Sequence, residues 1–305
     1  MDGIKQHPYN LPENAIWFIT GCSSGIGKAL AELVVSKGQR VVATARKPST
    51  LSYLPDNDPN ILKLPLDVSS PRSIDAAVAS ALSHFHRLDV VVNNAGYALY
   101  GDTENAPAAM ARQLIETNFW GTVALTQHAM RIMRDENSPQ GGVVMNVSSM
   151  GGRVAFQGHA FYHASKFAVE GFTESVAKEV LPEWNVHFCL IEPGGVKTGY
   201  VDKGMVSIPN HPAYGDDAPT RVLERYMKDP VASSGWADVE GVVKEMYEVV
   251  GKGGETPLRV PLGEDAWMTL KMENERRARE LEGGRERAFR AGKEGQAESL
   301  AFLTK

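Results

Sequence analysis

The feature that most narrows the fold is a short apolar run, Ala15-Ile-Trp-Phe-Ile-Thr20. It gives way to Gly21-Cys22-Ser23-Ser24-Gly25-Ile26-Gly27 and then to the amphipathic stretch Lys28 to Lys37. Strand, glycine-rich turn and helix N-terminus, in that order, make an anion site. The glycines let backbone N–H groups approach a pyrophosphate, and the helix end adds partial positive charge. A glycine triplet alone says little, because turns and helix caps also use glycine. Set between a strand and a helix with the spacing Gly-x-x-x-Gly-x-Gly, it predicts a dinucleotide site built from Gly21, Ser23, Ser24, Gly25, Ile26 and Gly27.

The rest of the chain repeats the alternation. Strands are predicted at 15–20, 40–45, 61–66, 88–92, 142–147 and 186–192, with helical patterns near 26–37, 71–86, 107–133 and 160–181. Apolar strands without polar alternation, separated by helices, predict an α/β fold of Rossmann type. Its sheet is doubly wound, mostly parallel and flanked by helices on both faces. After residue 194 the strand signal stops, and residues 197–233 mix Tyr200, Met205, Ile208, Tyr214 and Met227 with Gly and Pro. A helix at 236–250, a short edge strand at 257–261 and a helix at 263–282 follow. The last twenty or so residues are charged and carry Gly283, Gly284, Gly292 and Gly295, which reads as a frayed helix or tail. The expected organisation is an N-terminal tail (1–14), one domain (15–265) that includes a substrate-covering segment at 197–235, and a C-terminal helix and tail (266–305). With 43% hydrophobic residues in 305, the chain can bury a substantial core.

The chemistry is concentrated in Phe161-Tyr162-His163-Ala164-Ser165-Lys166. None of the other eight tyrosines has a lysine four residues downstream. On a helix this spacing puts both side chains on one face, a turn apart. A tyrosine hydroxyl ionises near pH 10 (about 10 in model peptides), and a fixed ammonium nearby favours the phenolate and draws it towards the working range. An isolated pair of this kind is ordinarily helix surface; its neighbours in the sequence give it weight.

Several functions are disfavoured. A net charge of −5 leaves no basic footprint for nucleic acid or acidic membranes. No apolar run approaches the roughly 18 residues of a membrane span, and the first fourteen residues lack the hydrophobic core of a signal peptide. Two cysteines, Cys22 in the glycine turn and Cys189 in an apolar strand, cannot make a disulfide framework. A cytoplasmic protein is therefore expected. His159 and His163 lie four apart but have no third ligand at metal spacing, so no metal is expected.

Taken in order, Thr20-Gly21-x-x-x-Gly25-Ile-Gly27, Leu66-Asp67-Val68, Asn93-Asn94-Ala95-Gly96, Asn118, Ser148-Ser149, Tyr162-x-x-x-Lys166 and Pro193-Gly194-Gly195-Val196-x-Thr198 resemble the single-domain short-chain dehydrogenase/reductase family over roughly residues 14–265. Val42-Ala43-Thr44-Ala45-Arg46 and Pro257-Leu258-Arg259-Val260-Pro261-Leu262-Gly263 resemble its hydroxysteroid-dehydrogenase-like branch. The resemblance implies that Tyr162 is the general acid in reduction. Lys166 lowers its pKa and binds the nicotinamide ribose, Ser149 orients the carbonyl oxygen, and Asn118 holds a water that links Lys166 to a proton relay. Ser148 is a rival to Ser149, which the spacing favours. The resemblance also implies that Asn94, Ala95 and Gly96 let the backbone approach the adenosine side, that Asp67 holds the adenine amino group, and that Val196 and Thr198 meet the carboxamide.

Charge at the end of the second strand selects the cofactor. An NAD site usually places a carboxylate there to accept from the ribose 2′-hydroxyl. This chain has Ala45, then Arg46 and Lys47. Arg46 can pair with a 2′-phosphate and stack on the adenine, and Ser23 offers a further donor, so NADP (as NADPH) is expected. Apolar residues in 197–235 predict a hydrophobic ketone, aldehyde or alcohol as substrate. Two alternatives are an isomerase, dehydratase or cyclase on the same fold, and a non-catalytic nucleotide-sensing protein; the presence of both Tyr162 and Lys166 argues against the latter. Small residues Ala164, Ala168, Gly171 and Ala177 on the 160–181 helix, with the 107–133 helix, suggest a homodimer or homotetramer.

Overall fold

Strand β1 (Ile16–Ile19) sends Trp17 and Ile19 into one hydrophobic cluster and Ile16 and Phe18 into another. Side chains alternate across a strand, so burial on both faces is what makes the sequence apolar without a break. The same split recurs in β2 (Arg40–Ala45), where Val41 and Ala43 oppose Val42, and in β4 (Val90–Asn93), where Val90 and Val92 oppose Val91. This computed structural model describes residues 8–251, 253–293, 295, 296 and 298, without the side chains of Asp202 and Lys203. The tails expected at 1–7 and 299–305 lie outside the described residues.

The remaining strands are β3 (Ile61–Pro65), β5 (Ala98–Tyr100), β6 (Gly142–Val147), β7 (Val186–Pro193), β8 (Val196–Lys197), β9 (Met205–Ser207), β10 (Ala237–Asp238) and β11 (Arg259–Leu262). Seven of the strands form one parallel sheet in the order β11-β7-β6-β4-β1-β2-β3. Helices α1 (Gly25–Ser36), α2 (Pro71–Phe85), α3 (Ala108–Ile115), α4 (Gly121–Asp135), α5 (Ala160–Glu179), α6 (Tyr200–Lys203), α7 (Pro219–Lys228), α8 (Pro230–Ser234), α9 (Val239–Gly251) and α10 (Glu264–Ala291) complete the chain. Leu30 and Val34 of α1 and Val242 and Met246 of α9 cover one face; Ile74 of α2, Leu125 of α4 and Val176 of α5 cover the other. The Rossmann-type, doubly wound α/β fold is thus as expected. The strand order reverses between β1 and β4, and ligands of such sheets bind at the carboxyl ends beside that reversal.

Four differences from the sequence reading have physical causes. Residues 107–133 are not one helix: a π-helical turn at Glu116–Trp120 separates α3 from α4. The strand signal does not end at 194, because β8 pairs with β10 and β9 with β5; strands of two or three residues are too short to show a period. Tyr9, assigned to the N-terminal tail, is buried against the core with its ring 5.5 Å from that of His187. The last helix does not stop near 282 but runs to Ala291. Each glycine lowers helix stability by about 1 kcal/mol, and i,i+3 and i,i+4 pairs such as Arg276 with Glu273 and Arg277 with Glu273 offset part of this. No helix among the described residues is long and apolar enough to cross a membrane.

Candidate active site

At the end of β1 the chain turns at Gly21 and Gly25 with left-handed φ of 71° and 58°, which favours glycine. A Cβ on Gly27 would sit 2.5 Å from the Asn94 side chain and 2.6 Å from the Gly21 carbonyl oxygen, so only glycine fits the first turn of α1. The turn is held from beside it. Thr20 Oγ1 accepts from the N–H groups of Asn94 and Ala95, both at 2.9 Å, while Asn94 Nδ2 donates to the Thr20 carbonyl at 2.8 Å. Asn94 thereby braces the glycine turn, a task its position in the sequence did not announce. Ser23 and Ser24 are exposed at the turn, and Ile26 is half-buried against the core. Thr198 crosses over to Gly25, whose Cβ would lie 3.6 Å from it, and Val196 is buried just before. Two distant stretches named by sequence therefore meet at this turn.

Around it stand the remaining candidates. Arg46 is exposed directly after β2 and makes no hydrogen bond or ion pair among the described residues. Asp67 is exposed, with one carboxylate oxygen accepting from the Ser69 N–H at 3.0 Å and the Ser69 hydroxyl at 2.7 Å. Gly96 lies between Asn118 and Lys166: a Cβ there would be 3.1 Å from Asn118 Oδ1 and 3.8 Å from Lys166 Nζ. Asn118 is buried in the π-helical turn. Its side chain donates to the Tyr97 carbonyl at 2.9 Å and to Ser165 Oγ at 3.1 Å, and accepts from the Tyr97 N–H at 3.1 Å. Such turns collect at functional positions because they re-aim a side chain without ending the helix.

Tyr162 and Lys166 share a face of α5 as the spacing requires, with Lys166 Nζ 5.9 Å from the Tyr162 ring centre. Lys166 is buried and donates to the Val147 carbonyl at 2.7 Å. Burial draws its ammonium down to about 8, against the pull of Glu170. Ser149 bonds the Tyr162 hydroxyl and accepts from the Gly151 N–H at 3.0 Å. Ser148 instead buries its hydroxyl without a hydrogen-bond partner, so the geometry favours Ser149. The expectation that Lys166 draws Tyr162 towards neutrality does not hold in the chain by itself. Burial raises Tyr162 above its ordinary value, and the hydrogen bonds from Ser149 and Tyr200 offset that only in part.

The sequence pattern of the short chain dehydrogenase family matches residues 15–205. The chain belongs to the short-chain dehydrogenase/reductase family. Oxidoreductase calM of Penicillium decumbens is 46% identical over 271 residues, spanning 87% of this chain and 89% of that protein. The 3-ketodihydrosphingosine reductase of Bacteroides thetaiotaomicron is 37% identical over 192 residues, spanning 63% of this chain and 68% of that one. Among solved structures, a short-chain dehydrogenase from Streptomyces avermitilis superposes with a TM-score of 0.81 at 29% identity, over 91% of this chain and 100% of that chain. The finer resemblance to a hydroxysteroid-dehydrogenase-like branch goes beyond this membership.

In this short-chain dehydrogenase/reductase the sequence reading missed the parts that carry the covering segment. Tyr200 of α6 bonds the Tyr162 hydroxyl. Asp102, fully buried, forms an ion pair with Arg221 of α7 and accepts from Thr220 Oγ1 and the His211 N–H, both at 2.9 Å. Burial would raise the Asp102 carboxyl, but these donors and the Arg221 charge hold it below the ordinary range. Asn105 adds a bond to the Pro209 carbonyl at 2.8 Å. No local pattern marks these residues, because their partners lie more than a hundred positions away.

Proposed function

We propose that the protein is an NADP-dependent oxidoreductase that reduces a ketone or aldehyde of a hydrophobic small molecule, or oxidises the matching alcohol. The observation that carries this reading is the junction of Ser149 and Tyr162 hydroxyls one helical turn from buried Lys166, beside the glycine turn at the strand reversal. The chain fits a dinucleotide. The cradle at Gly21, Gly25 and Gly27 is closed to any Cβ at Gly27, and the N-terminus of α1 adds partial positive charge where a pyrophosphate would lie. Uncommitted Arg46, with no acid at the end of β2, suits a 2′-phosphate, with Ser23 as a further donor. Bound NADPH supplies the hydride.

The chain's own groups do the rest. Ser149 fixes the carbonyl oxygen beside Tyr162, and Tyr162 gives that oxygen its proton. Lys166 holds ribose hydroxyls and lends positive charge; Asn118 keeps a water in line with it. Asp67 meets the adenine, Asn94, Ala95 and Gly96 line the adenosine side, and Val196 and Thr198 contact the carboxamide. Leu99, Leu114 and Ile208 form an apolar cluster with Tyr97, Phe161 and Tyr162 packed against it, which favours a hydrophobic substrate. The relative named as a 3-ketodihydrosphingosine reductase supports a ketone on an apolar chain. The hydroxysteroid-dehydrogenase-like segments at 42–46 and 257–263 agree with that class.

For assembly we favour a homodimer or homotetramer, supported by Ala164 and Gly171 on the exposed side of α5; Ala177 turns into the core and leaves that stripe. A monomeric mass by light scattering at micromolar concentration rejects this assignment. The function is tested by screening hydrophobic ketones and aldehydes for NADPH oxidation and quantifying product. One NADPH lost per alcohol formed is the expected result. Product formed without NADPH loss identifies an isomerase, dehydratase or cyclase instead.

A further inference from the structure

The Tyr162 hydroxyl has two side-chain partners, Ser149 and Tyr200. Tyr200 opens α6 in the covering segment and belongs to none of the motifs that mark the family. The sense of the bond is defined, since it favours ionised Tyr162 and disfavours ionised Tyr200. Tyr200 is therefore the donor and the Tyr162 oxygen the acceptor. The position of Tyr200 is tied to the cover. Gly204 donates to the Tyr200 carbonyl at 2.9 Å, its own carbonyl accepts from the Ala98 N–H at 2.8 Å, and β9 then pairs with β5. A Cβ on Gly204 would stand 3.1 Å from the Tyr200 ring, so the turn leaves little play.

Resting on the reading of Tyr162 as the proton donor, we propose that Tyr200 is a positioning residue of the proton-transfer centre. It donates its hydroxyl hydrogen to the Tyr162 oxygen, stabilises the phenolate, and makes the acidity of Tyr162 depend on the covering segment being docked. The other groups facing Tyr162 do not duplicate this. From α5, Lys166 spends a hydrogen on Val147, and the His163 ring, 5.7 Å away, bonds the Gly151 carbonyl and the Phe156 N–H. His159, ahead of α5, has its ring 6.1 Å away, and burial keeps it neutral. Ser149, at the end of β6, is the other donor. In reduction, Tyr162 passes its proton to the carbonyl oxygen, and the phenolate left behind keeps the Tyr200 hydrogen bond. In oxidation, the phenolate takes the alcohol proton. Tyr200 retains its own proton throughout.

The test is a pH titration by NMR of the full chain carrying ring-labelled tyrosine, with the Tyr162 signal assigned by its loss in Tyr162→Phe. In Tyr200→Phe, the Tyr162 midpoint is expected to rise by about one pH unit, a tenfold change in its ionisation constant. Fluorotyrosine placed at position 200 keeps the hydroxyl and makes it a stronger donor, so the Tyr162 midpoint is expected to fall. The melting temperature and NADPH binding control for folding. A role limited to packing the ring moves neither midpoint, and unchanged midpoints in both proteins overturn the proposal. If the midpoints move as stated but no carbonyl compound consumes NADPH, the hydrogen bond stands and the reductase reading fails.

Discussion

The glycine turn and the covering segment build opposite walls of one site by different means. The turn is assembled from backbone: Thr20 and Asn94 bond main-chain groups, and Gly27 leaves no room for a side chain. The cover is held by side chains, chiefly Asp102 with Arg221 and Thr220, and by two ladders of two or three residues. A wall made of backbone tolerates few residue types and presents the same surface to the same cofactor. One made of side-chain contacts can change its lining while keeping its anchors. The difference separates what binds a common ligand from what selects a particular one.

Tyr162 stands where the walls meet, and changing it has the largest expected effect. Tyr162→Phe should lower turnover about 10²–10⁴-fold while NADPH affinity, measured by nicotinamide fluorescence, stays nearly unchanged. More than about a tenth of the wild-type rate in this variant contradicts its role.

The anchor of the cover comes next. Asp102→Asn leaves the Arg221 guanidinium buried without its counter-charge, and unfolding free energy should drop by about 3 kcal/mol in a denaturant titration. NADPH affinity should hold, so that the two walls fail separately. The pH dependence has a definite sign. The Asp102 carboxyl is held below its unfolded value, so its stabilisation is fully present above the ordinary carboxylate range. That stabilisation is lost as pH falls through the folded value, and Asp102→Asn should flatten this acid-side loss. An unchanged slope shows that the pair contributes nothing to folding.

Two substitutions on the turn sharpen the contrast. Arg46→Ala should reduce the NADPH preference, as kcat/KM against NADH, by roughly ten- to a hundred-fold, the worth of a charge-assisted pair. Adding Ala45→Asp should move the preference further towards NADH, by accepting from the 2′-hydroxyl and repelling the phosphate. An unchanged ratio in both proteins removes the main support for NADP. Gly27→Ala, with its Cβ 2.5 Å from Asn94, should weaken NADPH binding and lower stability by about 1–2 kcal/mol without altering preference between substrates.

The same contrast explains what could be read from the sequence. The main strands, the glycine turn and the Tyr162–Lys166 pair were legible because alternation, close glycine spacing and a helical repeat are local signals. Asn118 was found by its motif, yet the π-helical turn around it was not, since one extra residue per turn barely disturbs the apolar pattern. Tyr200 and Asp102 were invisible in their roles: each depends on a partner brought near only by the finished sheet. Asn94 was placed correctly at the end of its strand, but its side chain turns to brace Thr20 and Gly21, which needs β1 beside β4 to be seen.

The Asp102–Arg221 pair also constrains how this chain can exchange parts with its relatives. A crossover placed between residues 102 and 221 would graft a new cover onto the old sheet and separate the two charges. Recombinants that inherit both residues from one parent should accept foreign lining residues between them. Those that inherit only one carry a buried charge that nothing answers. The pair thus sets the boundary of a transplantable unit, whose first residue lies well before the segment that covers the substrate.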